Sequence, residues 1–428
     1  MVNKNVKISK ISVNGLFHTF NHEIRLNNDG VVIVIGENGI GKTTILKIID
    51  SIFSKKFDYL FTIDFDSIEL SFSRTKWILY KKDENSIIIK NQTLNEEFEI
   101  KPSKDNPSFF YRKFIIQTSE NEWFDRRIGR PVSREDIIHR YGIDPLDKSD
   151  NHPDWFNNVI ADNHVIFVQT QRLYRTDYEK ERDGKSLEYM VKTYSDELVK
   201  ILQDNNALFT AQSIQLDSTF PIRLIKALKS QKPKDTLNNI SDIIDEITKL
   251  NQYRSLLNSV GIIDKQDDEV INKSFETLSD PNALSILNLY ITDNKKKLDI
   301  FKDTARKLEI LLNIINKRFK YKKLYIDKKE GFIIKSNNSG RKINLINLSS
   351  GEQNELIIFY NLLFKTNQND IVLIDEPEIS LHIAWQQRLI DDLKEIAKES
   401  GISLVISTHS PDIIGDNWSL VQTLSGEE

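Results

Sequence analysis

Two groups of short motifs, one near each end of this 428-residue chain, constrain it more than any bulk property does. The first is Gly36-Glu37-Asn38-Gly39-Ile40-Gly41-Lys42-Thr43, which fits G-x-x-x-x-G-K-T. Glycines in such a loop let backbone N–H groups wrap the β- and γ-phosphates of a nucleotide. Lys42 adds a positive charge, and Thr43 offers a hydroxyl to Mg²⁺. Thr44 is placed to reach the α-phosphate. Gly36, Asn38, Gly39, Gly41, Lys42, Thr43 and Thr44 are therefore the candidate phosphate-binding residues. The context supports the motif. Val31 to Ile35 reads as a buried strand, and Thr43 to Phe53 as a helix through Ile45, Leu46, Ile49 and Ile52. The chain is glycine-poor, with 15 in all, so a chance match is rare.

The second group lies more than three hundred residues on. Ile371 to Ile374 reads as a buried strand that delivers Asp375 and Glu376 to its C-terminal end, the edge where open α/β sheets bind ligands. Asp375 suits the Mg²⁺ shell, and Glu376 suits polarising an attacking water. Leu348-Ser349-Ser350-Gly351-Glu352-Gln353 opens a helix that continues through Leu356, Phe359, Tyr360 and Leu363. Taken alone, Ser349 reads as an N-cap. Ser407-Thr408-His409 closes an apolar strand, Ile402 to Ile406.

Between the two groups the pattern changes. Residues 61–101 alternate as antiparallel strands. From about 176 to 320 the period is helical, ending in a heptad seam: Leu298, Phe301, Ala305, Leu308, Leu312, Ile315 and Phe319. Strand signals return at Leu324 to Asp327 and Phe332 to Lys335, around the turn Lys328-Lys329-Glu330-Gly331. The expected division is an N-terminal lobe, 1–175, a helical insertion, 176–320, and a C-terminal lobe, 321–428. A formal charge of -4 and a pI near 6.1 give no global attraction to nucleic acid. Local basic stretches remain, at Arg112 and Lys113 and at Arg126, Arg127 and Arg130, which read first as solvated surface. There is no cysteine, no signal-like N-terminus and no apolar run of membrane-spanning length, so a cytoplasmic chain with no membrane partner is expected.

With these motifs in this order, the chain resembles the ABC-type ATPases of the SMC/RecF/OLD group. Within that group it is most similar to the compact AAA-family ATPases of bacterial anti-phage systems, such as those of Septu and PARIS and the ATPase half of OLD and Gabija nucleases. The runs Asp375-Glu376-Pro377-Glu378-Ile379-Ser380-Leu381-His382 and Val168-Gln169-Thr170-Gln171-Arg172-Leu173 carry this likeness and are unlike transporter cassettes. The resemblance covers residues 1 to about 175 and about 320 to 428. It implies an α/β fold: an ABC-type P-loop ATPase head with an antiparallel β subdomain and an inserted α-helical, short coiled-coil domain.

The resemblance also implies ATP and Mg²⁺ as substrate and cofactor. Ser349 and Gly351 become a signature motif that meets the γ-phosphate held by another copy, so a homodimer or higher even oligomer is expected. His409 becomes a switch histidine on the γ-phosphate, and Ser380-Leu381-His382 a loop crossing the dimer interface. Gln169 and Gln171 both suit the glutamine that senses Mg²⁺ and the lytic water; Gln171, followed by Arg172, is preferred. Phe17, His18 and Phe20 lie where adenine packs in related heads, or else belong to the core.

OLD-type nucleases continue into a Toprim domain, whereas little sequence follows His409 here. None of the seven histidines has the local context of an HNH nuclease. The expectation is therefore an ATPase that senses and switches, with a separate HNH- or Toprim-type effector nuclease as partner. The rival expectation is a RecF- or SMC-like ATPase acting directly on DNA in repair or chromosome maintenance.

Overall fold

The computed structural model describes residues 6–26, 30–102, 115–119, 122–125, 130–132, 152–169, 173–176, 187–229, 240–264 and 281–424. The chain forms two compact units, residues 1–170 with 366–428, and residues 171–365. Each is built around its own core. The change of sequence pattern falls at 320/321, but compactness divides the chain after Lys365. The reason is packing: the strands and helix that follow 320 bury their apolar faces on the inserted helices.

The first unit begins with β1 (Ile8–Leu16), β2 (Phe20–Arg25), β3 (Val31–Ile35), α1 (Lys42–Phe53) and α2 (Asp58–Phe61). Next come β4 (Ser67–Phe72), β5 (Lys76–Asp83), β6 (Ser86–Asn91) and β7 (Glu96–Ile100), then the short β8 (Ile115–Ser119), β9 (Glu122–Asp125) and β10 (Arg130–Val132). α3 (Asp154–Asp162) and β11 (Val165–Val168) complete its first stretch. An antiparallel sheet of order β2-β1-β4-β5-β6-β7 forms the expected β subdomain. Its strands alternate as a one-sided sheet should: Ile68, Leu70 and Phe72 of β4 are buried, and the residues between them are not. Trp77 of β5 is fully buried, with Phe72, Trp155 and Phe156 around it at ring separations of 4.7, 5.3 and 5.0 Å.

The second unit holds β12 (Tyr174–Thr176), β13 (Leu187–Tyr189) and four helices, α4 (Met190–Lys229), α5 (Ile240–Ser259), α6 (Pro281–Asp299) and α7 (Lys302–Arg318). β14 (Lys322–Asp327), β15 (Gly331–Ser336), β16 (Lys342–Ile343) and α8 (Ser350–Phe364) follow. The heptad seam is shared between two helices. α6 ends at Asp299, Phe301 makes a tight turn onto Leu298 O, and α7 starts at Lys302. Leu298, Phe301, Ala305, Leu308, Ile315 and Phe319 are nevertheless all buried, because both helices face one core. Tyr360 of α8 stacks between Tyr194 of α4 and Phe364, at 4.7 and 4.9 Å. The Ser195 hydroxyl accepts from Phe332 N–H at 2.8 Å, pinning the β14–β15 hairpin to α4. The β14–β15 turn was legible from Lys328-Lys329-Glu330-Gly331.

The chain then returns to the first unit with β17 (Ile371–Asp375), α9 (Ile383–Ser400), β18 (Ser403–Ser407), α10 (Pro411–Ile414) and β19 (Val421–Thr423). These complete a five-stranded sheet of order β11-β17-β18-β3-β19, in which every pairing is parallel. Buried on both faces, its strands are continuous apolar runs such as Val31 to Val34 and Ile371 to Ile374. The fold is thus an α/β P-loop ATPase head with an antiparallel β subdomain and an inserted helical region. No described helix is long and apolar enough to cross a membrane.

Candidate nucleotide site

The parallel sheet sends β3, β17 and β18 into loops at the same edge, and β18 lies between the other two. The phosphate loop leaves β3 and turns into α1 at Gly41, the N-cap, whose φ is +98°. A side chain is doubly excluded at that position. The backbone is left-handed, and a Cβ would come within 2.5 Å of Leu16 Cδ2. Lys42 is buried, and its Nζ donates to Gly36 O at 2.8 Å and Glu37 O at 2.7 Å. Burial pushes its pKa down, while Glu376, Asp375 and Glu378 oppose that shift. The loop therefore surrounds a desolvated ammonium whose third proton is available to an anion.

One residue of this loop's support was not foreseen. His22 of β2 is buried, with its Nε2 2.7 Å from Ile40 O in the loop. Burial lowers the His22 pKa, so the ring is neutral and Nε2 donates to that carbonyl. The available signal was parity: His22 and Ile24 are the inward positions of β2.

Across the sheet, Thr43 Oγ1 donates to the Asp375 carboxylate, 3.0 Å from either oxygen, and Ser407 Oγ donates to Asp375 Oδ1 at 2.5 Å. A threonine hydroxyl and a carboxylate are hard oxygen donors, the set Mg²⁺ takes when it keeps waters and binds substrate phosphates. Among the described residues no three His, Cys, Asp or Glu side chains gather into a cage for a metal. Thr43 and Asp375 thus fit the ion. Ser407, at the end of β18, is a further polar neighbour that sequence alone did not single out.

Glu376 follows Asp375 with φ +44°, a left-handed backbone unusual for a residue with a side chain, and its N–H donates to Ser407 O at 3.0 Å. That turn carries its carboxylate to 3.9 Å from His409 Nε2. Both side chains are about one-third exposed, so water can reach the gap between them. Glu378 ties the two loops together. Its Oε1 accepts from Thr408 Oγ1 and from His409 N–H, each at 2.8 Å, while its Oε2 is buried and makes no hydrogen bond among the described residues. The third carboxylate of Asp375-Glu376-Pro377-Glu378 was the signal for this role, and only the fold shows what it holds.

The other expected residues are placed less centrally. Asn38 and Gly39 are exposed on the loop, and Thr44 hydrogen-bonds Tyr59. Phe17 is 40% exposed and lies against Gly41, and His18 beside it has positive φ; Phe20 stacks on His22. His382 caps α9 by accepting from Ala384 N–H at 3.2 Å. Gln169 follows the paired residues Val168 and Ile374, so it leaves the sheet level with Asp375. Gln171 lies outside the described residues, as do Arg112, Lys113, Arg126 and Arg127. Ser349 and Gly351 belong to the second unit, where Ser349 is the N-cap of α8. A reciprocal capping box with Glu352 fixes it: Glu352 N–H donates to Ser349 Oγ at 3.3 Å and Ser349 N–H to Glu352 Oε2 at 2.9 Å.

The family model described as "AAA ATPase domain" matches residues 7–414. The galactose/methyl galactoside import ATP-binding protein MglA of Fusobacterium nucleatum is 22% identical over 456 residues, covering 92% of this chain and 88% of that protein. The thiamine import ATP-binding protein ThiQ of Ruegeria sp. is 35% identical over 65 residues, 15% of this chain and 27% of its own length. Among solved structures, an Smc head domain from Pyrococcus furiosus, bound to the C-terminal domain of ScpA, is 14% identical with a TM-score of 0.35, covering 99% of this chain and 94% of that one. The SMC head domain from Thermotoga maritima is 14% identical with a TM-score of 0.32, covering 97% of this chain and 94% of that one. Superpositions this loose carry no functional inference.

Proposed function

The chain belongs to the AAA ATPase domain family, and from that premise we propose that it is an ATP-hydrolysing switch subunit of a bacterial anti-phage system, controlling a separate effector nuclease in the cytoplasm. The observation that carries the ATPase part is the meeting of Lys42, Thr43, Asp375, Glu376 and His409 at one edge of the parallel sheet. In this reading the loop N–H groups and Lys42 bind the β- and γ-phosphates of ATP. Thr43 and Asp375 hold Mg²⁺, which when bound neutralises phosphate charge. Gln171, or Gln169, stands beside the metal and the water. Glu376 orients that water and takes its proton, and His409 donates to a γ-phosphate oxygen. Ser349 and Gly351 of a second copy aim the N-terminus of α8 at the same phosphate. Two copies then enclose two ATP molecules, and hydrolysis removes the group that both hold. The 1–175 and 321–428 segments supply this head, with 176–320 inserted between them.

The effector part rests on the likeness of the Asp375–His382 and Val168–Leu173 runs to anti-phage ATPases, an argument by analogy. Native mass spectrometry of the Glu376→Gln chain with ATP, co-expressed with its gene neighbours, tests it. A defined complex with a nuclease supports the reading, and a bare dimer with no protein partner contradicts it. The rival reading, an ATPase acting directly on DNA, has one observation in its favour, a lysine row on the sheet β14-β15-β16. The import roles in the names of MglA and ThiQ describe those two proteins alone.

A further inference from the structure

The small sheet β14-β15-β16 of the second unit carries three lysines side by side on its solvent face. Lys323 of β14 pairs directly with Lys335 of β15, which pairs directly with Lys342 of β16. Leu324 and Ile326 point into the core, so Lys323 and Tyr325 point out. Like charges placed directly opposite each other in a sheet are destabilising. Lys342 is relieved by Glu330, at 2.6 Å. Among the described residues Lys323 and Lys335 have no carboxylate partner; both ammonium groups lie over the Tyr325 ring, 5.5 and 5.2 Å from its centroid. Tyr325 is 41% exposed and Tyr321 74% exposed. Tyr325 therefore sits against both ammonium groups, and Tyr321 is a second exposed ring just before β14.

A cavity of about 380 Å³ opens at the free edge of β14. Leu256, Val260, Asn313, Lys317, Lys323 and Tyr325 line it. This volume lies within the usual range for small-ligand pockets. Its chemistry suits a nucleobase: an apolar wall, a tyrosine ring, an asparagine amide, and the Glu309 carboxylate for an exocyclic amine. Asn316 keeps the edge open to side chains rather than to another strand, because its amide bonds both Leu324 O at 3.0 Å and Leu324 N–H at 2.7 Å.

We infer that this face binds single-stranded nucleic acid, with Lys323, Lys335 and Lys342 on successive phosphates, Tyr325 and Tyr321 stacked on bases, and one base in the β14-edge cavity. The charge row alone would suit any polyanion. The rings and the cavity select a strand whose bases are unpaired, since a duplex hides their faces. None of these residues is among those proposed for the ATP site.

Fluorescence anisotropy of the full-length chain, without ATP, against a labelled oligodeoxycytidine of about 20 nucleotides, whose bases carry an exocyclic amine, tests the assignment. Binding should weaken steeply as salt rises. Lys323→Gln with Lys335→Gln should lower the slope of log affinity against log salt by about 1.4, two single-strand phosphate contacts. Tyr325→Ala should weaken binding by roughly 5- to 150-fold, and Tyr325→Phe should restore it, because the phenyl ring still stacks. ATP turnover should be unchanged in all of these variants. Absent binding, binding indifferent to these substitutions, or a duplex bound as tightly as the single strand would each overturn the assignment and leave the ATPase reading untouched.

Discussion

Thr43 Oγ1 lies 3.0 Å from both carboxylate oxygens of Asp375, across 332 residues of sequence. The contact exists because β18 alone separates β3 from β17, so the loops leaving these strands converge. If these two groups hold Mg²⁺, Asp375→Ala should lower ATP affinity about tenfold or more in Mg²⁺ while changing it little in EDTA. Calorimetric titration under both conditions checks this. An equal loss with and without the metal would show that Asp375 acts through the fold instead.

Glu378 is a positioning residue. It touches no reacting group, but it holds Thr408 and the His409 backbone through one oxygen. Glu378→Ala frees that loop and should lower kcat by about tenfold or more, with little change in the KM for ATP. Glu378→Gln keeps an acceptor and should recover most of the rate. A purely structural role would instead lower the melting temperature of both variants without separating kcat from KM.

The His22–Ile40 contact predicts a pH dependence. Folding lowers the His22 pKa from its ordinary 6.5, so the unfolded chain binds more protons near that value. Its contribution to stability is complete above about 6.5 and declines as pH falls through 6.5 toward the lowered folded value. Melting curves from about pH 7.5 to 5.5 should show a smaller decline for His22→Gln than for the wild-type chain. Identical declines would remove His22 as a source of the effect.

Arg318 of α7 pairs with Glu355 of α8, with both side chains almost fully buried. The guanidinium also lies 5.1 Å from the Phe359 ring centroid. Arg318→Met would strand a buried carboxylate, and a loss of about 3–5 kcal/mol is expected. Adding Glu355→Leu should return much of it, because a packed apolar pair replaces two desolvated charges. Denaturant unfolding of the single and double variants measures the difference. Additive losses would contradict the pairing argument.

Much of the head was readable from local signals. Continuous apolar runs marked Val31–Ile35 and Ile371–Asp375 as central parallel strands, and alternation marked β4 as one-sided. Gly36 to Thr43 and Asp375-Glu376 stood out as candidates because phosphate and metal binding demand particular residues at fixed spacing. Residues whose role depends on a distant partner were hidden. His22 looks like any strand histidine until β2 is set against the loop at Ile40, and Ser407 like any strand-terminal serine until β18 meets β17. The heptad spacing recorded which residues are buried, and not whether one helix carries them past Phe301. The capping role of Ser349 was legible from Ser-x-x-Glu, whereas its proposed role toward a second copy comes only from resemblance.

The central claim is that each ATP site takes Lys42 from one copy and Ser349 from another, and subunit mixing tests it most directly. Lys42→Ala and Ser349→Arg should each be inactive alone, the first through lost phosphate binding and the second through a blocked helix N-terminus. In a mixed dimer the intact loop of the Ser349→Arg chain meets the intact Ser349 of its partner. Equal mixing should then restore roughly a quarter of wild-type turnover, since about half the dimers carry one complete site. Turnover that stays at the level of the separate variants at every mixing ratio, or a Ser349→Arg chain as active as wild type, would contradict the account.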